Sequence, residues 1–194
     1  IEERLVGSEM CIRDRLLSSY GTGADVVSEG EFRKAMESGI KPSDIVFSGV
    51  GKTDEELTFA IKNNCFQINI ESGSEILRVE KIANQMSKTQ SIAIRLNPDV
   101  DSKTHEKITT GTKENKFGIP LHEALQIFKD KNKYKNVDLN GIAVHIGSDI
   151  KTLKPFLKTL KILKDFCEKI RSLGIELNTI DIGGGLSPHE REFD

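Results

Sequence analysis

The sequence predicts an α/β fold assembled from parallel βα units, and three observations point to it. Short apolar runs alternate with helix-patterned stretches from Ala24 onward. The runs begin at residues 24, 44, 67, 91, 139 and 179, at intervals of 20, 23, 24, 48 and 40 residues, near the length of one βα unit with insertions in the later ones. Most of them, such as IAIRL and IAVHI, are nearly continuous in apolar residues, as strands covered on both faces are. Two architectures share this pattern: a doubly wound open sheet and a (β/α)8 barrel that lacks strands at its ends. A barrel needs about 250 residues, so 194 residues with six strands make at most an incomplete one.

The six strands are Ala24 to Ser28, Asp44 to Ser48, Gln67 to Glu71, Ser91 to Leu96, Leu139 to Ile146 and Thr179 to Ile182. Between them, Thr53 to Lys62 reads as a helix with a Thr N-cap and acidic residues in its first turn. Glu123 to Lys131 places Ala124, Leu125 and Phe128 at helical spacing. Lys154 to Leu173 aligns Phe156, Leu157, Leu160, Leu163, Phe166, Cys167 and Ile170 along one stripe, expected to be core, and stops at Gly174. No internal repeat is present.

Composition narrows the function classes. With 37% hydrophobic and 30% charged residues, the chain is globular rather than disordered. Lys plus Arg number 28 and Asp plus Glu 30, a net charge of -2 without long blocks, which argues against a nucleic-acid partner. No apolar run reaches the roughly 18 residues of a membrane span, and the N-terminus carries no apolar signal core, so a cytoplasmic protein is expected. Cys11, Cys65 and Cys167 are too scattered for a disulfide framework or zinc site and are expected to be reduced and structural. Val6 to Arg15, VGSEMCIRDR, resembles a translated sequencing adapter. Residues 1–15 are therefore set aside as non-native, leaving 16–194 as one partial domain.

In either architecture, chemistry belongs at the C-terminal ends of the strands. There, Gly183-Gly184-Gly185 follows the apolar TIDI. Glycines at such a place let backbone N–H groups converge on an anion, and phosphate is the natural occupant; a tight turn is the plainer alternative. As a dinucleotide fingerprint the segment is weaker, because Pro188 stands where the third glycine belongs. His145 falls near the end of an apolar run, with Gly147 and Ser148 just beyond. Its imidazole can stack on a flat ligand, Ser148 offers a hydroxyl to a phosphate, and a satisfied core histidine is the alternative. Arg95 is a charge inside a buried-looking strand and calls for a carboxylate or an anionic ligand. Lys52 in SGVGK does not fit phosphate-loop spacing and is expected to be a solvated loop lysine. His105, His122 and His189 carry less, and no HxH or HExxH spacing supports a metal.

The segments GADVVSEGEF, DIVFSGVGKTDEEL, RLNPDVDSKTHEKITTGTKENKFGI, GIAVHIGSD and DIGGGLS, in this order, resemble the barrel domain of the diaminopimelate decarboxylase family over about residues 16 to 188. Asn97 to Gly118 is the most specific part; the sister ornithine and arginine decarboxylases share the HIGS and GGG motifs but not that stretch. The resemblance implies an incomplete (β/α)8 TIM barrel of the pyridoxal-phosphate-binding type, with about six βα units. It implies an enzyme that decarboxylates meso-diaminopimelate to lysine and CO2, using pyridoxal 5'-phosphate bound as a Schiff base to a lysine of the first barrel strand. By the same resemblance His145 stacks on the pyridine ring, Ser148 with Gly183, Gly184 and Gly185 holds the phosphate, and Arg95 lies near the ring's polar edge. A homodimer with a C-terminal β-domain is implied for the whole enzyme.

The departures are specific. The family's lysine precedes the segment matching Gly21 to Ala24, where the adapter-like residues stand, so no catalytic lysine is assigned in this chain. Asp149 replaces a frequent Gln and Glu29 a frequent Gly. A decarboxylase of ornithine or arginine and a non-catalytic barrel that binds a phosphate ligand remain the alternatives.

Overall fold

The computed structural model describes residues 15–100 and 117–187. The element order is β1 (Ala24–Val26), α1 (Glu29–Glu37), β2 (Ile45–Phe47), α2 (Asp54–Lys62), β3 (Gln67–Ile70), α3 (Gly73–Gln85), β4 (Gln90–Asn97), β5 (Ile119–Pro120), α4 (Leu121–Lys129), β6 (Val137–Ala143), α5 (Lys154–Ser172) and β7 (Thr179–Asp181). Every expected strand and helix is present. The expectation missed α1, α3 and the two-residue β5. Helix α1 is charge-rich and buries only Phe32 and Ala35, too short a stripe to read. In α3 the signal exists, since Ile76, Val79, Ile82 and Ala83 recur at helical spacing and are buried.

The chain divides into two compact units. The first holds residues up to Asn69, Ser74–Ile92 and Tyr134–Asp138; the second holds Ile70–Gly73, Ala93–Lys133 and the chain from Leu139 onward. In the first, β1, β2 and β3 pair in parallel, with Ala24 opposite Ile45 and Val46 opposite Gln67. Parallel neighbours require a crossover, and α1 and α2 provide it. Ser28 caps α1 through its hydroxyl, which accepts from the Glu31 N–H at 3.3 Å. Thr53 and Glu56 form a reciprocal capping box on α2, at 3.2 Å and 2.9 Å, worth about 1 kcal/mol. The other oxygen of Glu56 accepts the first amide of α1, at Glu29, at 3.3 Å, so one carboxylate serves two helix starts. Phe32 joins these helices to the sheet, meeting Phe59 at 5.5 Å and Phe47 at 6.3 Å, both edge-on.

In the second unit β4 pairs with β5, and β6 with β7, again in parallel. Phe128 of α4 and Phe166 of α5 meet at 6.1 Å within this unit's core. The apolar stripe expected along α5 is core only in part. Leu163, Phe166 and Ile170 are buried, whereas Leu157 is 62% and Leu160 44% exposed. Helical spacing set the stripe, but burial also requires an element to cover it, and nothing among the described residues covers those two leucines.

A lysine expected in solvent is buried instead. Lys52 is 3% exposed, and its Nζ donates to the Gly49 carbonyl at 2.7 Å, the Asn69 carbonyl at 2.7 Å and Glu75 Oε1 at 2.9 Å. The ammonium has three donors and all three are used. Its carboxylate partner lies 23 residues away in α3, a relationship that local spacing does not reveal.

Candidate functional site: two strand-end loops held together

Two loops leave the C-terminal ends of β6 and β7 and bind each other. The Val144 N–H donates to the Asp181 carbonyl at 2.8 Å, Ile150 N–H to the Gly185 carbonyl at 2.8 Å, and Ser187 N–H to the Ile150 carbonyl at 2.9 Å. Ile150 and Leu186 form an isolated parallel bridge. The pairing of β6 with β7 therefore resumes beyond the strands and fixes residues 144–150 against residues 181–187.

At Gly183 and Gly185 this contact leaves no room for a side chain. Gly183 has φ +69°, and a Cβ there would meet the Val144 carbonyl oxygen, His145 Cα at 3.1 Å and His145 Nδ1 at 3.2 Å. Gly185 has φ +99°, and its Cβ would fall on the Gly147 carbonyl oxygen. Gly184 has open space around it. Asp181 adds a pin that sequence reading missed, its Oδ1 accepting the Gly183 N–H at 2.8 Å. The signal was available, since an Asp two residues before a glycine commonly folds back on the backbone. Because Gly183 spends its amide on Asp181, an anion at this loop would use the amides of Gly184 and Gly185.

His145 lies two residues beyond the end of β6, not inside the strand, and is exposed, as is Ser148. The alternative of a satisfied core histidine is thereby removed. Asp149 is also exposed and adopts φ +56°, a left-handed conformation that Asp tolerates better than most side chains. A pocket of about 310 Å³ adjoins Gly183 and Gly184, walled by Leu153, Phe156, Leu160, Ile182 and Leu186. Its wall is mainly apolar and unsuited to phosphate.

Arg95 lies on β4 among Ser91 and Asn97, on the side opposite the fully buried Ile92, Ile94 and Leu96. Of the two partners the sequence left open, a carboxylate is present: Arg95 Nη1 donates to Glu71 Oε1 at 2.6 Å, with the side chains 14% and 5% exposed. The Phe117 ring stands 5.7 Å from the guanidinium. Among the cysteines, burial pushes the Cys65 thiol up to about 12, and Cys167 is raised by burial as well. Both are free thiols, and Cys11 lies outside the described residues. His122 is exposed, and His105 and His189 lie outside the described residues. Among the described residues no cluster of His, Cys, Asp and Glu is placed to hold a metal, and no helix is long and apolar enough to cross a membrane.

Parallel βα units, with a glycine run and an exposed imidazole brought together at their strand ends, make this an α/β domain with a strand-end candidate site. Residues 12–193 match the family described as pyridoxal-dependent decarboxylase, pyridoxal binding domain, and the chain belongs to that family. It is 45% identical over 174 residues to a diaminopimelate decarboxylase of Zymomonas mobilis, covering 88% of this chain and 41% of that protein. It is 40% identical over 182 residues to the diaminopimelate decarboxylase of Aquifex aeolicus, covering 92% and 43%. Among solved structures, it superposes on diaminopimelate decarboxylase from Helicobacter pylori complexed with L-lysine with a TM-score of 0.87 and 38% identity, covering 95% of this chain and 48% of that one. The chain therefore spans about two fifths of the length of these curated relatives, and its fold is an incomplete barrel of the pyridoxal-binding type.

Proposed function

We propose that this chain is the cofactor-holding part of a diaminopimelate decarboxylase, which converts meso-2,6-diaminopimelate to lysine and CO2 with pyridoxal 5'-phosphate. The observation that carries the reading is the zipped pair of loops, in which Gly183 and Gly185 admit no side chain and His145 and Ser148 stand exposed beside them. Relatives at 40–45% identity bear the name of this enzyme.

In this reading the amides of Gly184 and Gly185 and the hydroxyl of Ser148 hold the phosphate. The His145 imidazole flanks one face of the pyridine ring, and Arg95 is directed to the ring's polar edge. Asp181 keeps the Gly183 backbone from collapsing into the anion site by binding its N–H. Bound pyridoxal phosphate supplies an electron-poor ring that accepts the electron pair left when a carboxylate departs as CO2. Lys52 is not the lysine that anchors it, because each of its donors already has a partner. Assembly as a homodimer and a cytoplasmic location belong to the same proposal.

The test is CO2 release by the complete polypeptide that contains this chain. Turnover of meso-diaminopimelate far above that of ornithine and arginine supports the reading. Preference for either of those moves it to a sister decarboxylase, and pyridoxal phosphate binding without any turnover leaves a ligand-binding barrel.

A further inference from the structure

We propose that Glu71 is a positioning residue, which holds Arg95 in the one orientation useful to a bound ligand; this rests on the reading of Arg95 as a contact to the cofactor. An arginine alone on a strand face has many rotamers and a whole positive charge, and would take any anion in several poses. Here a short charge-assisted bond of 2.6 Å ties Nη1 to Glu71 Oε1, and both side chains are largely out of water. Such a bond selects one rotamer and cancels the charge, so the remaining N–H groups act as directed donors rather than a diffuse attraction for anions.

The chain around Arg95 is itself closely packed on the β5 side. Gly118 has φ +92°, and a Cβ on it would come within 2.9 Å of the Arg95 carbonyl oxygen and 3.1 Å of the Leu96 carbonyl carbon. The next two residues pair with β4, Ile119 opposite Leu96 and Pro120 opposite Asn97. The backbone before β5 is thus held on β4, and the Phe117 ring, itself 60% exposed, stands 5.7 Å from the guanidinium. Glu71 itself follows β3 immediately and is carried by the strand end.

The experiment is a double-mutant cycle in the complete polypeptide, reading the Kd for pyridoxal phosphate by titration of the apo form, with Tm measured alongside. Glu71→Gln is expected to raise Kd about ten-fold, the size of one lost charged hydrogen bond, and to have no further effect once Arg95→Met is present. Equal effects of Glu71→Gln with and without Arg95, or a fall in Tm at unchanged Kd, would overturn the proposal and leave the Arg95 reading standing. Arg95→Met at unchanged Kd would overturn both. Should Glu71→Gln fail to fold, Glu71→Asp keeps the charge, shortens the reach and reads the same cycle.

Discussion

Gly185 packs on Gly147 so closely that a methyl group on the first would occupy the position of the second's carbonyl oxygen. The two loops meet backbone to backbone, and the space a side chain would fill is what brings Ser148 and His145 alongside the glycine run.

A glycine scan should therefore be uneven. Gly185→Ala and Gly183→Ala each meet a carbonyl and a left-handed backbone, which alone costs about 1–2 kcal/mol, and both are expected to lower Tm and weaken pyridoxal phosphate binding by at least ten-fold. Gly184→Ala has room and should leave Tm nearly unchanged. Thermal melts with cofactor titration of the three variants check this. Equal behaviour at all three positions would contradict the loop contact.

Breaking the Lys52 pair should be among the most damaging single changes. Lys52→Met leaves Glu75 in a buried site without its ammonium, and loss of one partner of a buried pair costs about 3–5 kcal/mol. Lys52→Met with Glu75→Leu removes both charges and should recover most of that loss. Urea denaturation of the single and double variants measures it, and a single variant within about 1 kcal/mol of the parent would show that the pair contributes little.

Cys65 gives a signed pH dependence. Its thiol titrates near 9.0 when free and at about 12 in the fold, burial being the main cause. The folded state therefore holds the proton that the unfolded chain releases, so this group's contribution is complete below pH 9.0 and is lost as pH rises toward about 12, at about 1.4 kcal/mol per pH unit. Cys65→Ala lacks that group. The stability difference between parent and variant should shrink steadily above pH 9.0 in denaturant titrations, and a constant difference would contradict the burial.

What the sequence reveals of the fold is what is local. The six apolar runs and the Thr53 cap announce themselves within a few residues, and every such element is found. Helix α1 escapes because Phe32 and Ala35 are its only buried residues, and β5 because two residues carry no period. The places of the glycine run, His145 and Ser148 after apolar runs are local in the same way, and the structure has them at the ends of β6 and β7. The pairing of Glu71 with an arginine 24 residues on is not local, nor is the burial of Lys52, which depends on Asn69 and Glu75. Leu157 and Leu160 show the converse, a helical stripe that the described residues leave uncovered.

A crystal structure of the complete polypeptide with pyridoxal phosphate would show where the cofactor sits against the two loops. Phosphate oxygens are expected within hydrogen-bond distance of the Gly184 or Gly185 amide and the Ser148 hydroxyl, with the His145 imidazole stacked on the pyridine ring. A phosphate bound away from residues 183–185, or a cofactor ring out of reach of His145, would contradict this placement.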